Sequence, residues 1–99
     1  MMTINKKVNG NLTTLEIIGR LDTTTAPELE AEVDNCLADT KTLVLDFQGL
    51  EYLSSAGLRV LLKAQKAMTQ RGSMKVLNVN ETVMEVFEIT GFSDILTIE

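Results

Sequence analysis

Two short apolar runs, Leu43-Val44-Leu45 and Met74 to Val79, are each followed by a longer stretch whose apolar residues recur at helical spacing. This alternation constrains the fold most, because strand–helix–strand units close as right-handed crossovers onto a parallel sheet. The helix after the first run is predicted from about Ser55 to Gln70. It turns Leu58, Leu61, Leu62 and Met68 inward and Arg59, Lys63, Lys66 and Gln70 outward. Gly72 is placed to follow its last turn. Leu43-Val44-Leu45 shows no polar alternation, which predicts a central strand covered on both faces, and Asp46 to Leu53 reads as its exit loop.

Ahead of this unit, Thr3 to Val8 and Asn11 to Ile18 flank Asn9-Gly10, a dipeptide suited to the two positive-φ positions of a type I′ turn, so an antiparallel hairpin is expected. Thr25-Ala26-Pro27-Glu28 fits a capping box with proline in the first turn, and Leu29, Val33, Cys36 and Leu37 form a one-faced stripe behind it. After the second apolar run, Asn80 is placed to cap a third helix, with Val79 and Met84 as a hydrophobic staple and Gly91 as a left-handed stop. Phe92 would then pack back on Phe87, and Ile95 to Ile98 reads as a final short strand. The fold class is α/β, with a mixed, mostly parallel sheet of four or five strands and an N-terminal hairpin.

The chain has 99 residues, 44% of them hydrophobic and 23% charged, enough for one core and too few for two. A single domain over residues 1–99 is expected. The first residues lack the apolar segment of a secretory signal, and no apolar run approaches the ~20 residues that cross a bilayer. A cytoplasmic location without membrane insertion follows as the expectation. The net charge of −5 disfavours a nucleic-acid surface. Cys36 is the only cysteine and sits at an apolar helical position, as a small buried hydrophobe would. There is no histidine, which removes the usual general base, the usual zinc ligand and any Ser-His-Asp triad. No cofactor and no metal site is expected.

The stretch Leu53-Ser54-Ser55-Ala56-Gly57 lies between a strand end and a helix start, where open α/β sheets place their sites. Such a helix end offers free N–H groups and a positive dipole end to an anion, and Ala56-Gly57 permits close approach. A nucleophile elbow does not fit, because Leu53 occupies the first glycine position of G-x-S-x-G and no histidine can activate the hydroxyl. A P-loop fails for want of a lysine after Gly57. From the residues alone, two readings stay open: one serine as a simple N-cap, or a binding and modification site.

Leu43-Val44-Leu45-Asp46, then Ser54-Ser55-Ala56-Gly57-Leu58-Arg59-Val60-Leu61-Leu62, preceded by Gly19-Arg20-Leu21-Asp22, resembles the STAS domain of bacterial anti-sigma factor antagonists. The resemblance spans nearly the whole chain and implies the STAS fold, with three to four helices. It further implies a partner switch. The unphosphorylated antagonist binds an anti-sigma factor that is also a GHKL-type serine kinase, freeing the sigma factor. Phosphorylation at the start of the second helix releases the complex, and a PP2C-type phosphatase resets it.

By this resemblance the antagonist is a ligand and a substrate rather than an enzyme; a monomer when free is the default expectation. Ser55 aligns as the phosphoacceptor, with Ser54 as runner-up, in a segment where the family often has D-S-S-G or D-S-T-G. Ser54 thus replaces the acid and Ala56 the second hydroxyl, while Gly57 keeps the register. Asp22 corresponds to an acidic residue that contacts the kinase, and is read alternatively as a loop carboxylate or helix-start cap. Asp46 is expected near the serine loop or, alternatively, as a turn-forming acid. Arg59, Lys63 and Lys66 share one helix face, either a solvated stripe or a surface that steers an acidic partner. The same fold also serves as an accessory subunit in complexes such as membrane lipid transporters, which is the alternative function.

Overall fold

The computed structural model describes residues 1–99. The chain runs β1 (Met2–Asn9), β2 (Leu12–Leu21), α1 (Ala26–Cys36), β3 (Thr42–Asp46), β4 (Leu50–Leu53), α2 (Ser55–Arg71), β5 (Ser73–Leu77) and α3 (Glu81–Thr90). A five-stranded mixed, mostly parallel sheet and three α-helices result; the class and the helices are as expected, but the strand set is not, since β4 replaces the expected C-terminal strand. β2 is the spine: β1 pairs with it antiparallel along its length, β3 pairs parallel with Leu12–Glu16, and β4 pairs parallel with Gly19–Leu21. β5 extends the sheet beyond β3 in parallel register.

The hairpin is present but its turn differs from the expectation. Asn9 still pairs with Leu12, so Gly10 and Asn11 form the two-residue loop. Gly10 has φ +63° and Asn11 is not among the positive-φ residues, a pattern that belongs to a type II′ turn with glycine first. Asp46 to Leu53 is not a plain loop, since it contains β4. That strand escapes sequence reading because its burial follows helical rather than alternating spacing: Leu50 and Leu53 are buried, while Glu51 and Tyr52 are exposed. A register shift between Gly19 and Arg20 produces this.

Thr13, Leu15, Ile17, Gly19 and Leu21 of β2 are buried, as are Leu43 and Leu45 of β3 and Met74 and Val76 of β5; the residues between them in β2 are half-buried or exposed. The helices therefore cover one face of the sheet and leave the other open, which corrects the expectation of a strand covered twice. Val44 is buried without joining the core, because Thr14 and Lys75 flank it in the neighbouring strands. On the covered face 23 residues form one core, in which the Phe47 and Phe87 rings lie 6.5 Å apart. Cys36 is part of it, and its thiol donates to the Val33 carbonyl.

Asn80 caps α3 by accepting the Val83 amide at 2.8 Å, and Gly91 ends it in the left-handed conformation, both as predicted. Gly72 follows α2 for a different reason from the one expected. Its backbone is extended, and a Cβ there would collide with the Lys41 carbonyl oxygen, so close approach rather than handedness demands glycine. Ile95 to Ile98 forms no strand. Phe92–Asp94 is a 3₁₀ turn, and Ile98 makes only a single parallel bridge to Val76.

Candidate functional site

The long β2 strand carries the chain past the end of β3, and β4 pairs with this overhang. Ser54 continues that pairing, its amide donating to the Leu21 carbonyl at 2.9 Å. The serines therefore leave the end of β4, which pairs with β2 alone, rather than the central β3 expected from sequence. Because Leu21 pairs with Leu53, the residues that follow each of them, Asp22 and Ser54, emerge at the same end of the sheet.

Ser54 holds the N-cap position of α2 with an extended backbone (φ −99°, ψ 175°), and its carbonyl accepts the Leu58 amide. Its hydroxyl does not cap. The Oγ is enclosed and has no hydrogen-bond partner within the protein. Ser55, the first residue of the helix, is exposed. The two adjacent hydroxyls thus differ fully in access, and the simple side-chain N-cap reading fails for both. Gly57 sits one turn further in, against Leu53 and Leu21. A Cβ there would lie 2.6 Å from Leu53 Cδ1 and 2.7 Å from Leu21 Cγ, so the absence of a side chain lets α2 start this close to the sheet.

The expected capping box at Thr25-Ala26-Pro27-Glu28 does not form. Thr25 points backward, its hydroxyl donating to the Arg20 carbonyl at 2.8 Å and accepting the Asp22 amide at 2.9 Å. Asp22 organises the start of α1 instead, its Oδ1 accepting the Thr24 hydroxyl (2.8 Å), the Thr24 amide (3.0 Å) and the Thr25 amide (3.2 Å). These bonds, the Thr24 hydroxyl foremost, hold the Asp22 carboxyl below the ordinary carboxylate range against a smaller opposing effect of burial. A depressed folded pKa contributes stability above the unfolded value and loses it as pH falls through the folded one. Asp22→Asn keeps the Oδ1 acceptor and removes the titration. The parent is therefore expected to lose stability relative to this variant on acidification below about pH 4, and urea midpoints measured from pH 7 to pH 2.5 check this.

Arg20 and Tyr52, paired across β2 and β4, stack on the open face beside this corner, the guanidinium 4.2 Å from the ring centroid. Arg20 Nε also lies 3.9 Å from Asp22 Oδ2. Neither residue is marked by periodicity. Only the pairing of β4, itself hidden in the sequence, brings them together.

Asp46 is not near the serine loop. Its β2 partner is Glu16, five residues from Leu21, which at strand rise places it roughly 16 Å along the sheet. There it accepts the Gln48 amide at 3.0 Å and the Asn78 side-chain amide at 2.9 Å, a turn-forming acid. The Arg59, Lys63 and Lys66 stripe divides as well. Lys63 Nζ is held by α1, 2.8 Å from Glu30 and 3.5 Å from Asp34, and the Glu30 hydrogen bond raises its pKa. It ties the two helices together, whereas Arg59 and Lys66 form no ion pair. Between the helix starts lies a groove of about 300 Å³, floored by Ala26, Pro27, Ala56 and Val60 and edged by Thr23, Arg59 and the Glu30–Lys63 pair. No three metal-ligating side chains converge anywhere, and no helix is long and apolar enough to cross a membrane.

A one-sided mixed sheet whose spine and edge strand present an acidic turn, an exposed serine and a helix-start groove at one corner defines a small α/β module built around a presented surface. A STAS domain family model matches residues 3–99, and the chain belongs to the STAS domain family. The anti-sigma-B factor antagonist of Bacillus subtilis is 30% identical over 98 residues, covering 98% of this chain and 90% of that protein. BtrV of Bordetella bronchiseptica, provisionally named an anti-sigma factor antagonist, is 42% identical over 72 residues. That match covers 72% of this chain and spans 60% of the length of BtrV. The crystal structure of an anti-sigma factor antagonist from Mycobacterium paratuberculosis superposes with a TM-score of 0.90 at 22% identity, over 99% of this chain and 85% of that one. At that identity the likeness bears on the fold.

Proposed function

We propose that residues 1–99 act as one STAS domain that serves as an anti-sigma factor antagonist, with Ser55 as the residue whose phosphorylation ends the interaction. The observation that carries the reading is the pair of serines at the start of α2: Ser55 is exposed on the first helical residue, while the Ser54 oxygen is enclosed. That difference favours Ser55 over Ser54 as the acceptor. The names of the relatives support the antagonist role.

In the proposed cycle the unmodified domain binds an anti-sigma factor with serine kinase activity and keeps it from its sigma factor. The Ser55 Oγ attacks the γ-phosphorus of ATP held by that partner, loses its proton and releases ADP. A PP2C-type phosphatase later returns the serine by hydrolysis, with inorganic phosphate as product. A phosphoserine carries about −1.5 to −2 charges at neutral pH. At a helix N-terminus the chain's own dipole tolerates it, so the domain need not unfold to release its partner. A bulky anion at a buried contact must be desolvated, and a loss of about 3 kcal/mol weakens binding more than a hundredfold.

Paired pull-downs with Ser55→Ala and Ser55→Asp baits, read by mass spectrometry, test this. The alanine bait is expected to retain a GHKL-type kinase and the aspartate bait to retain several-fold less, since aspartate carries less charge than phosphate. Equal retention by both baits, or capture of a transporter subunit in place of a kinase, overturns the proposal.

A further inference from the structure

We propose that Arg59 is an internal latch for the phosphorylated form: it is free to hold a partner's carboxylate in the α1–α2 groove, and a phosphate on Ser55 captures it. The inference rests on Ser55 as the modified residue and adds how modification changes the surface. Ser55 and Arg59 stand four residues apart on α2, which puts their Cβ atoms about 5–6 Å apart on the same face. An exposed arginine at that spacing reaches a phosphate with a bidentate pair of N–H donors.

The other cations at this corner are engaged. Lys63 sits between Glu30 and Asp34, and Arg20 is stacked on Tyr52 with Asp22 beside it. Lys66 forms no ion pair, but it lies eleven residues from Ser55, roughly 16 Å along the helix. Arg59 alone combines reach with the absence of an internal carboxylate, and it edges a groove floored by small apolar side chains. That groove suits an aspartate or glutamate whose stem packs on Ala26, Pro27, Ala56 and Val60 while its carboxylate meets the guanidinium. Once phosphorylated, Ser55 competes with that carboxylate as a more highly charged acceptor on the same helix. Release then needs no movement of the backbone, because the partner loses its cation as well as gaining a repulsive charge.

The test installs phosphoserine at position 55 by codon expansion, so no kinase is needed and the proposed function can fail separately. Phosphorus NMR then follows the second ionisation of the phosphate, ordinarily near pH 6. It is expected at least about half a unit lower in the parent than in Arg59→Gln, and unchanged by Lys63→Gln, whose amine Glu30 and Asp34 already hold. Identical titrations for the parent and Arg59→Gln, or an equal shift from Lys63→Gln, overturn the latch. In the unmodified chain Arg59→Gln is expected to weaken binding of the kinase partner about tenfold, with an unchanged melting temperature because the side chain is exposed. Parental affinity in that variant overturns the carboxylate-in-groove half of the proposal.

Discussion

Phe87→Ala is expected to lower stability by about 3–5 kcal/mol, the range for truncating a fully buried aromatic ring. Phe87 is wholly buried and Phe47 nearly so, and their rings meet 6.5 Å apart where α3 crosses the turn between β3 and β4. The truncation removes ring contacts and leaves a void between elements that are tied down on their other sides. Asn80 at the start of α3 caps the helix and donates to the Leu50 carbonyl at 2.9 Å, which limits how far α3 can collapse inward. Domains of this size have total stabilities of about 5–15 kcal/mol, so a large part of the margin disappears. Urea denaturation of the two proteins checks the value. A loss under about 1 kcal/mol would mean that the void refills, and that α3 is more loosely held than its cap and tether indicate.

Gly57→Ala is expected to destabilise by about 1–3 kcal/mol despite alanine's advantage in a helix of about 1 kcal/mol, because the added methyl meets Leu21 and Leu53 well inside contact distance. Leu21 is wholly enclosed and cannot swing away, so α2 must lift from the sheet at its first turn. That movement displaces Ser55 and opens the groove. The variant is therefore expected to bind the partner more weakly even under conditions where it remains folded. Thermal denaturation together with amide chemical shifts of residues 54 to 59 checks both effects. A variant more stable than the parent would show that the leucines yield and that propensity prevails.

Much of this site was legible in the sequence, and the parts that were not share a cause. The position of Ser55 at a helix start followed from helical spacing after a short apolar run, a signal that lies within a dozen neighbouring residues. Asp22 was singled out by resemblance, yet its work as the acceptor for the Thr24 and Thr25 donors depended on local turn chemistry. The capping-box pattern pointed to Thr25 instead, because it cannot tell a threonine that reaches forward into its helix from one that reaches back to Arg20. Asp46 was misplaced because adjacency to β3 says nothing about how far β2 runs on past it. Only the shared use of β2 by β3 and β4 sets that distance.

The separation between what composition and spacing decide and what contact decides is physical. Alternation, helical periodicity, the asparagine cap at Asn80 and the stop at Gly91 arise from interactions within one or two turns, so the hairpin, the three helices, strands β3 and β5 and the mostly parallel character of the sheet were legible in the sequence itself, whereas β4 was not. Pairing partners, burial of one hydroxyl beside an exposed one, and the consumption of Lys63 but not Arg59 arise between residues distant in the chain, such as Glu30 with Lys63 or Leu21 with Ser54. Those contacts exist only once the sheet has closed, because a charge or hydroxyl acquires its partner from whichever surface packing brings within about 3 Å. Tertiary structure alone therefore decided which serine is reachable and which cation remains free.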